Sequence, residues 1–596
     1  MSVLDRIERL RNVMEQQKID CYIIPTDDYH HSEYVGDYFK FREYITGFTG
    51  SAGTAVFTKD KAGLWTDGRY FIQAEAQLKG SGITLYKSGE SDVPTIEEFL
   101  KSELKEGDVL GFDGRTVTYA QGKRYCHIAD ENGASLKYSL DFAQNIWKER
   151  PEMSMEPVFS LEDEYTGEKI GSKLERIREI MKENGCNAHV LSSLDDIAWL
   201  LNIRGNDIAY CPLVLSYAIV YNNSVELFAD IRKFSDDIIN LLAENQVKIY
   251  PYEDIYRKVS EMTSEDKLLL DSAIMNYSLY QAISKETVIV DKQNPEILMK
   301  SVKNETQAEN LRKAHLKDAV AHTKFMYWLK KNIGRVEITE LSASARLEGL
   351  RAEQEHFLGP SFGPISAYGE HGAIVHYSAD EKSNVPLKEG KLFMTDTGGH
   401  YLEGSTDITR TVALGEVGNI EKEHFTLVAR AMLRLANTVF LYGCSGANLD
   451  CIAREVFWKE GLNFNHGTGH GVGYLLNIHE GPINFRWKEG ERPAPALEEN
   501  MVITDEPGIY IEGSHGIRLE NELLVRKTVK NEYGQFMNFE ILTYVPIDLD
   551  AILPEKMSTE EKEMLNHYHK QVYEKVSPYL SEEERIWLKE YTRAVK

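Results

Sequence analysis

Four acidic side chains and one histidine in the second half of this chain could meet at one point and hold metal ions. The segment KLFMTDTGGHYLEGSTDITRTVALG reads as two strands around a Gly-rich turn, with Asp396 and Asp407 symmetric about Tyr401/Leu402. In an antiparallel hairpin such positions face each other. A second segment, MVITDEPGIYIEGSHGIRLENELLV, repeats the pattern, with Glu506 and Glu520 symmetric about Gly513. Both pairs sit on otherwise apolar strands, so their carboxylates are expected to point into a covered interior. Buried carboxylates raise one another's pKa and are costly without a counter-charge. Two divalent cations would neutralise four carboxylates and leave room for a bridging hydroxide. His470, in HGTGHGVG, offers a nitrogen ligand, and the set suits Mn²⁺ ahead of Zn²⁺, with Co²⁺ also possible.

Each piece has a bland reading alone: Asp396 as a turn cap, TDEPG as an ordinary loop, HGTGHGVG as a flexible turn. Two symmetric carboxylate hairpins flanking a Gly-rich segment with two histidines make the joint reading the stronger one.

The elements that must position these groups are legible in outline. The chain has 596 residues, 42% hydrophobic and 27% charged, a globular composition too long for one core. Two N-terminal stretches look like copies of one another. A helix near Val3–Gln17, a strand at Cys21–Pro25 and Asp27-Asp28 in the first answer to a helix near Lys173–Asn184, a strand at Ala188–Leu191 and Asp195-Asp196 in the second. The boundary between them falls in the Pro- and charge-rich stretch near Trp147–Tyr165. The expected organisation is α/β (α+β). Residues 1–155 form a first α/β domain and 156–300 its repeat, 301–546 form the catalytic domain, and 547–596 form a helical extension. Asn304 is the expected N-cap of a long helix, and Ser558/Glu561 and Ser581/Glu584 have capping-box spacing. The tail reads as a packed appendage without visible chemistry.

Lys+Arg 68 against Asp+Glu 94 leaves a net charge of −26, which repels nucleic-acid phosphates and anionic lipid. Six cysteines show no zinc-finger or disulfide pattern, the N-terminus lacks a signal peptide's apolar core, and the longest apolar run, CPLVLSYAIVY, is half a membrane span. These features imply a cytoplasmic protein with neither nucleic acid nor membrane as partner.

The order D…D…H…E…E and its local motifs closely resemble the metallopeptidase family with the pita-bread fold, which contains methionine aminopeptidase, prolidase and aminopeptidase P. GFTGSAGTAVFT, LWTDGRYF and DIAWLLNIRG extend the resemblance over nearly the whole chain, toward the long three-domain aminopeptidase P form. The resemblance implies two creatinase/prolidase-like domains before a pita-bread catalytic domain. It implies that Asp396 chelates one metal, that His470 and Glu506 bind the other, and that Asp407 and Glu520 bridge both. It further implies that His376 (GAIVHYSAD) and His466 hold substrate, and that His479 (NIHEGP) stabilises the oxyanion. Glu506 is the expected proton shuttle, and Arg518 (GIRLE) resembles a residue that steadies the metal carboxylates. Arg69 of DGRY would lie toward the active site of a homodimer partner. The implied activity is Mn²⁺-dependent release of the N-terminal residue from peptides with proline second. Phe362, His376 and Tyr377 are guesses for walls of the proline pocket, which Tyr474 could narrow. The alternatives are a prolidase restricted to dipeptides and a non-enzymatic pita-bread scaffold. Methionine aminopeptidase and creatinase fit less well, because the first usually lacks both leading domains and the second needs no metal.

Overall fold

The computed structural model describes residues 1–488, 490 and 492–596. It divides into two compact units, one of Met1–Leu161 with Glu168–Glu296, the other of Glu162–Gly167 with Ile297–Lys596.

The first unit contains two six-stranded sheets of the same topology. In the first sheet Cys21–Pro25 is central, antiparallel to Thr54–Thr58 and parallel to Val109–Phe112. Ala62–Thr66, Thr84–Lys87 and Ser135–Lys137 complete it. In the second sheet Ala188–Leu191 takes the central place, with Tyr217–Tyr221 antiparallel and Lys267–Leu270 parallel to it. The helices before the two central strands are alike for the same reason. Val3–Gln17 buries Ile7, Leu10 and Met14, and Ile170–Glu183 buries Ile170, Leu174, Ile177 and Met181, one apolar stripe at helical spacing in each case. The two acidic pairs differ. Asp27-Asp28 lies in irregular backbone, whereas Asp195-Asp196 opens the helix Leu194–Leu200, where negative charge meets free N–H groups. The run from Cys211 ends in a buried strand of the second sheet, and no helix among the described residues is long and apolar enough to cross a membrane. The two repeats share contacts inside one unit, among them Asn276 Nδ2 donating to Tyr29 O at 2.9 Å and Ser278 N–H donating to Gly114 O at 2.8 Å.

In the second unit, Asn304 caps the 28-residue helix Glu305–Asn332 with Gln307 closing the capping box. Antiparallel strands pack beneath it around a core that includes Phe325, Leu329, Phe393, Val412, Met432, Ile503 and Leu523. Two glycines let site-bearing strands touch. A Cβ at Gly398 would stand 1.8 Å from Thr406 O, and one at Gly469 would stand 1.9 Å from Thr504 O. Any side chain at either position would push apart strands that carry candidate ligands.

The tail is more than an appendage. Both expected capping boxes form, and Tyr568 Oη accepts a hydrogen bond from Arg410 Nη2 at 2.7 Å while donating to Val545 O at 2.6 Å. Beside it the fully buried His569 accepts the Ile547 N–H at Nε2, 3.1 Å away. Burial, and then the charge of Arg410, push its pKa down to about 3. An unfolded histidine titrates near 6.5. The neutral ring therefore contributes stability that is complete above pH 6.5 and is lost as pH falls from there toward 3, by about 2 kcal/mol at pH 5. Thermal unfolding of the parent and of His569→Gln, whose amide can accept the same N–H without ionising, checks this. The drop in midpoint between pH 7.5 and 5 should shrink in the variant, and equal drops would refute the assignment.

Candidate metal centre

The two hairpins that carry the acidic residues form, with one correction. Lys391–Thr397 pairs with Ile408–Leu414, but Asp396 faces Thr409 rather than Asp407. The turn is centred on Leu402 and Glu403, since Tyr401 pairs with Gly404, so the expected symmetry point was one residue early. Asp407 sits just outside the strand, and its carboxylate still reaches Asp396 and Glu520. In the second hairpin Gly508 faces Arg518 and Asp505 faces Asn521 in one register. Glu506 and Glu520 therefore lie opposite each other in the gap between those ladders, where the backbone leaves strand geometry and frees both side chains to converge.

Three overlapping groups offer ligand atoms within 4.8 Å of one another: Asp396, Asp407 and Glu520; His470, Glu506 and Glu520; and Asp407, His470 and His479. All five expected ligands thus occupy one cluster, and His479 joins it at the edge, its ring T-shaped against His470 at 4.4 Å. His470 Nε2 stands 3.5 Å from Asp407 Oδ2 and 3.7 Å from Glu506 Oε1. Its Nδ1 is 2.9 Å from Gly471 O, which makes Nδ1 a donor to that carbonyl and aims Nε2 into the cluster.

The electrostatics describe a site built for positive charge. Burial, with Asp407, Glu506 and Asp396 adding repulsion, raises the Glu520 carboxyl well above its usual range. Burial likewise raises Asp396 and Glu506. Asp407 is held low against its burial by His470. Burial opposes a charge on His470, yet Asp407 and Glu506 push it up to about 9. Asp396 Oδ1 is buried with no hydrogen-bond partner. An orphan carboxylate oxygen beside three further carboxylates and an inward-facing imidazole nitrogen fits a pair of hard or intermediate divalent cations.

Arg518 is 2% exposed rather than a surface residue. It grips Asp396 Oδ2 through Nε, at 3.1 Å, and through Nη2, and it donates from Nη1 to Tyr510 Oη at 2.7 Å. Tyr510 Oη lies 2.8 Å from His466 Nε2. Burial and then the charge of Arg518 lower the His466 pKa to about 3, so its ring is neutral and accepts the tyrosine hydroxyl. Arg454 holds the same loop from behind, donating to Phe464 O at 2.8 Å and His466 O at 2.6 Å. His376 follows Val375, whose carbonyl accepts from Arg518 Nη2 at 3.4 Å.

Of the pocket guesses, Phe362 is buried, and Tyr377 donates to Glu340 Oε2 at 2.9 Å within a small cluster with Ile365, Ala367 and Met394. Tyr474 donates to Leu402 O at 3.2 Å and accepts from Asn310 at 3.3 Å. In the first unit Arg69 makes a two-pronged ion pair with Asp67, both contacts at 2.8 Å. Sequence reasoning missed Tyr510, Arg454, His315, Asp318, Arg351 and Glu522. Only Glu522 had a local signal, since strand alternation in LENELLV puts it on the same side as Glu520.

Comparison with known proteins agrees with this geometry. Residues 6–137 and 149–307 match family models described as creatinase/prolidase N-terminal domain, 309–527 match metallopeptidase family M24, and 535–595 match its C-terminal region. Aminopeptidase P1 of Arabidopsis thaliana is 35% identical, covering 99% of each chain, and Xaa-Pro aminopeptidase 1 of Dictyostelium discoideum is 36% identical, covering 97% of this chain and 94% of its own. The crystal structure of X-prolyl aminopeptidase from Caenorhabditis elegans, described as a cytosolic enzyme with a di-nuclear active site, superposes with a TM-score of 0.95 at 33% identity over 100% of both chains. A Xaa-Pro dipeptidase from Bacillus anthracis shares the fold at 24% identity and covers 64% of this chain. The chain belongs to the Xaa-Pro aminopeptidase group of the M24 metallopeptidases, with two creatinase/prolidase-type domains ahead of the catalytic one.

Proposed function

We propose that this chain is a Xaa-Pro aminopeptidase that uses two divalent metal ions, Mn²⁺ by preference, to release the N-terminal residue from peptides with proline second. The observation that carries the reading is the convergence of Asp396, Asp407, His470, Glu506 and Glu520 within coordination reach. Full-length similarity to aminopeptidases of that name supports it. Asp396 would serve one ion, His470 and Glu506 the other, and Asp407 and Glu520 both. When bound, such a pair of ions supplies a water nucleophile at neutral pH and polarises the scissile carbonyl.

The chain's own residues do the rest. Proline's nitrogen carries no N–H, so cleavage must deliver a proton to a nitrogen that no strand-type contact can hold. Glu506, whose carboxyl burial raises, takes a proton at a carboxylate oxygen and passes it to that nitrogen. His479, packed against His470, donates a hydrogen bond to the developing oxyanion. His376 and the neutral ring of His466 line the substrate side. The carboxylate-rich surroundings meet the substrate's free amine. Arg69 belongs to the same reading only if two chains associate, because it is assigned to the partner's cleft. We therefore include a homodimer acting in the cytoplasm.

The test is incubation of the purified protein and Mn²⁺ with Arg-Pro-Pro-containing peptides, Xaa-Pro-Yaa tripeptides and Xaa-Pro dipeptides. Release of the first residue from the longer substrates, abolished by a chelator, is expected. Cleavage of dipeptides alone would establish a prolidase instead. Absence of any cleavage, with far fewer than two ions per chain, would establish a scaffold. Sedimentation at micromolar concentration checks the dimer.

A further inference from the structure

The backbone segments that carry Asp396 and Asp407 are gripped from outside the ligand set by charged side chains with almost no exposure. Asp407 lies between the strands Gly404–Ser405 and Ile408–Leu414, where its N–H lacks a ladder partner. Glu522 supplies one, since its Oε1 accepts the Asp407 N–H at 2.6 Å. The other oxygen of Glu522 stands 3.0 Å from His315 Nε2, and both side chains are 0% exposed. One turn along the same helix, Asp318 accepts from the Thr406 hydroxyl through Oδ2 and from Arg351 Nε through Oδ1 at 2.8 Å. Arg351 Nη2 reaches on to Thr397 O at 3.1 Å. Thr397 and Thr406 are the chain neighbours of Asp396 and Asp407.

Glu522 is itself a carboxylate two residues beyond Glu520, yet it contributes to none of the three groups of ligand atoms. Both its oxygens face other partners. Burying charge costs several kcal/mol per ion, and well-packed apolar residues would serve folding as well or better. What such groups add is directed contact with a chosen backbone atom.

The geometry points to Glu522, backed by His315, and to Thr406, backed by Asp318 and Arg351, as positioning residues that set the Asp407 and Asp396 carboxylates for metal binding. This rests on the assignment of the five ligands above. Glu522 acts through the Asp407 peptide, and Thr406 through the turn of chain leading into it. Partners one step removed from a metal ligand tune metal affinity by about 10–100-fold when lost.

Glu522→Gln keeps an acceptor for the Asp407 N–H and removes the charge. Thr406→Val removes the hydroxyl at nearly constant shape, and Thr406→Ser restores it. Each full-length variant, stripped by chelation, is titrated calorimetrically with Mn²⁺, and Co²⁺-loaded samples are compared by visible absorption. Glu522→Met, which removes the acceptor that Glu522→Gln keeps, and Thr406→Val are expected to weaken metal binding by about 10–100-fold, to alter the Co²⁺ bands, and to lower kcat with KM little changed, while Glu522→Gln stays near the parent. Thr406→Ser should return all three toward the parent. Should Glu522→Met fail to fold by circular dichroism, the Thr406 pair decides. A folded Thr406→Val that binds both ions at parental affinity with parental Co²⁺ bands overturns the inference, whatever its melting temperature, and so does a folded Glu522→Met with that same result. A parent that binds fewer than two ions would overturn the ligand assignment instead.

Discussion

Asp407→Ala is expected to lower kcat/KM on a Xaa-Pro-Yaa peptide by about 10⁴-fold, or ~5.4 kcal/mol of transition-state stabilisation, and to leave one bound ion or none. Asp407 is 3% exposed and belongs to two of the three groups of converging ligand atoms, touching Asp396 and Glu520 on one side and His470 and His479 on the other. The loss of a side chain placed, like that of Glu520, between both halves of the cluster affects both ions. The substitution also removes a carboxylate oxygen 3.5 Å from His470 Nε2, so the imidazole loses an orienting partner as well. Metal analysis beside steady-state kinetics checks both parts. Activity within tenfold of the parent at two ions per chain would show that Asp407 is not shared between them.

Arg518→Lys comes second, with an expected loss of about 10²–10³ in kcat/KM and a larger loss for Arg518→Met. The guanidinium holds Asp396 Oδ2 with two nitrogens while a third binds Tyr510, and an ammonium cannot copy that fork. With Oδ2 held, Asp396 Oδ1 is the oxygen left facing the cluster. Freed, the carboxylate can rotate, and the line from Arg518 through Tyr510 to His466 is cut. The loss expected for Arg518→Lys corresponds to about 3–4 kcal/mol of transition-state stabilisation. A melting temperature near the parent's, with kcat/KM down and metal still bound, would assign the loss to orientation. Unchanged kinetics in Arg518→Lys would reduce Arg518 to a charge-balancing residue.

Local signals carried much of this protein. The helix Val3–Gln17 follows from apolar spacing and Glu305–Asn332 from apolar spacing after the Asn304 cap, and the central strands Cys21–Pro25 and Ala188–Leu191 follow from short apolar runs. The opposition of Glu506 and Glu520 was legible because one register runs through both ladders of their hairpin. The same argument misplaced the facing partner of Asp396, because the Gly-rich turn closes at Leu402 and Glu403 and turn position is not encoded by strand periodicity.

Read by itself, the amino-acid order determined which residues alternate onto one side of a strand, where helices begin, and that acidic groups would gather on apolar hairpins. Only the tertiary structure decided that His315 meets Glu522, that Arg518 closes on Asp396, and that Tyr568 reaches Arg410 from the tail. Those contacts join positions 122 to 207 residues apart or bind a terminal helix to a central strand. Hydrogen-bond periodicity acts over a few residues, whereas pairing across the fold is chosen by how whole sheets and helices pack and by which buried charges then have to be satisfied.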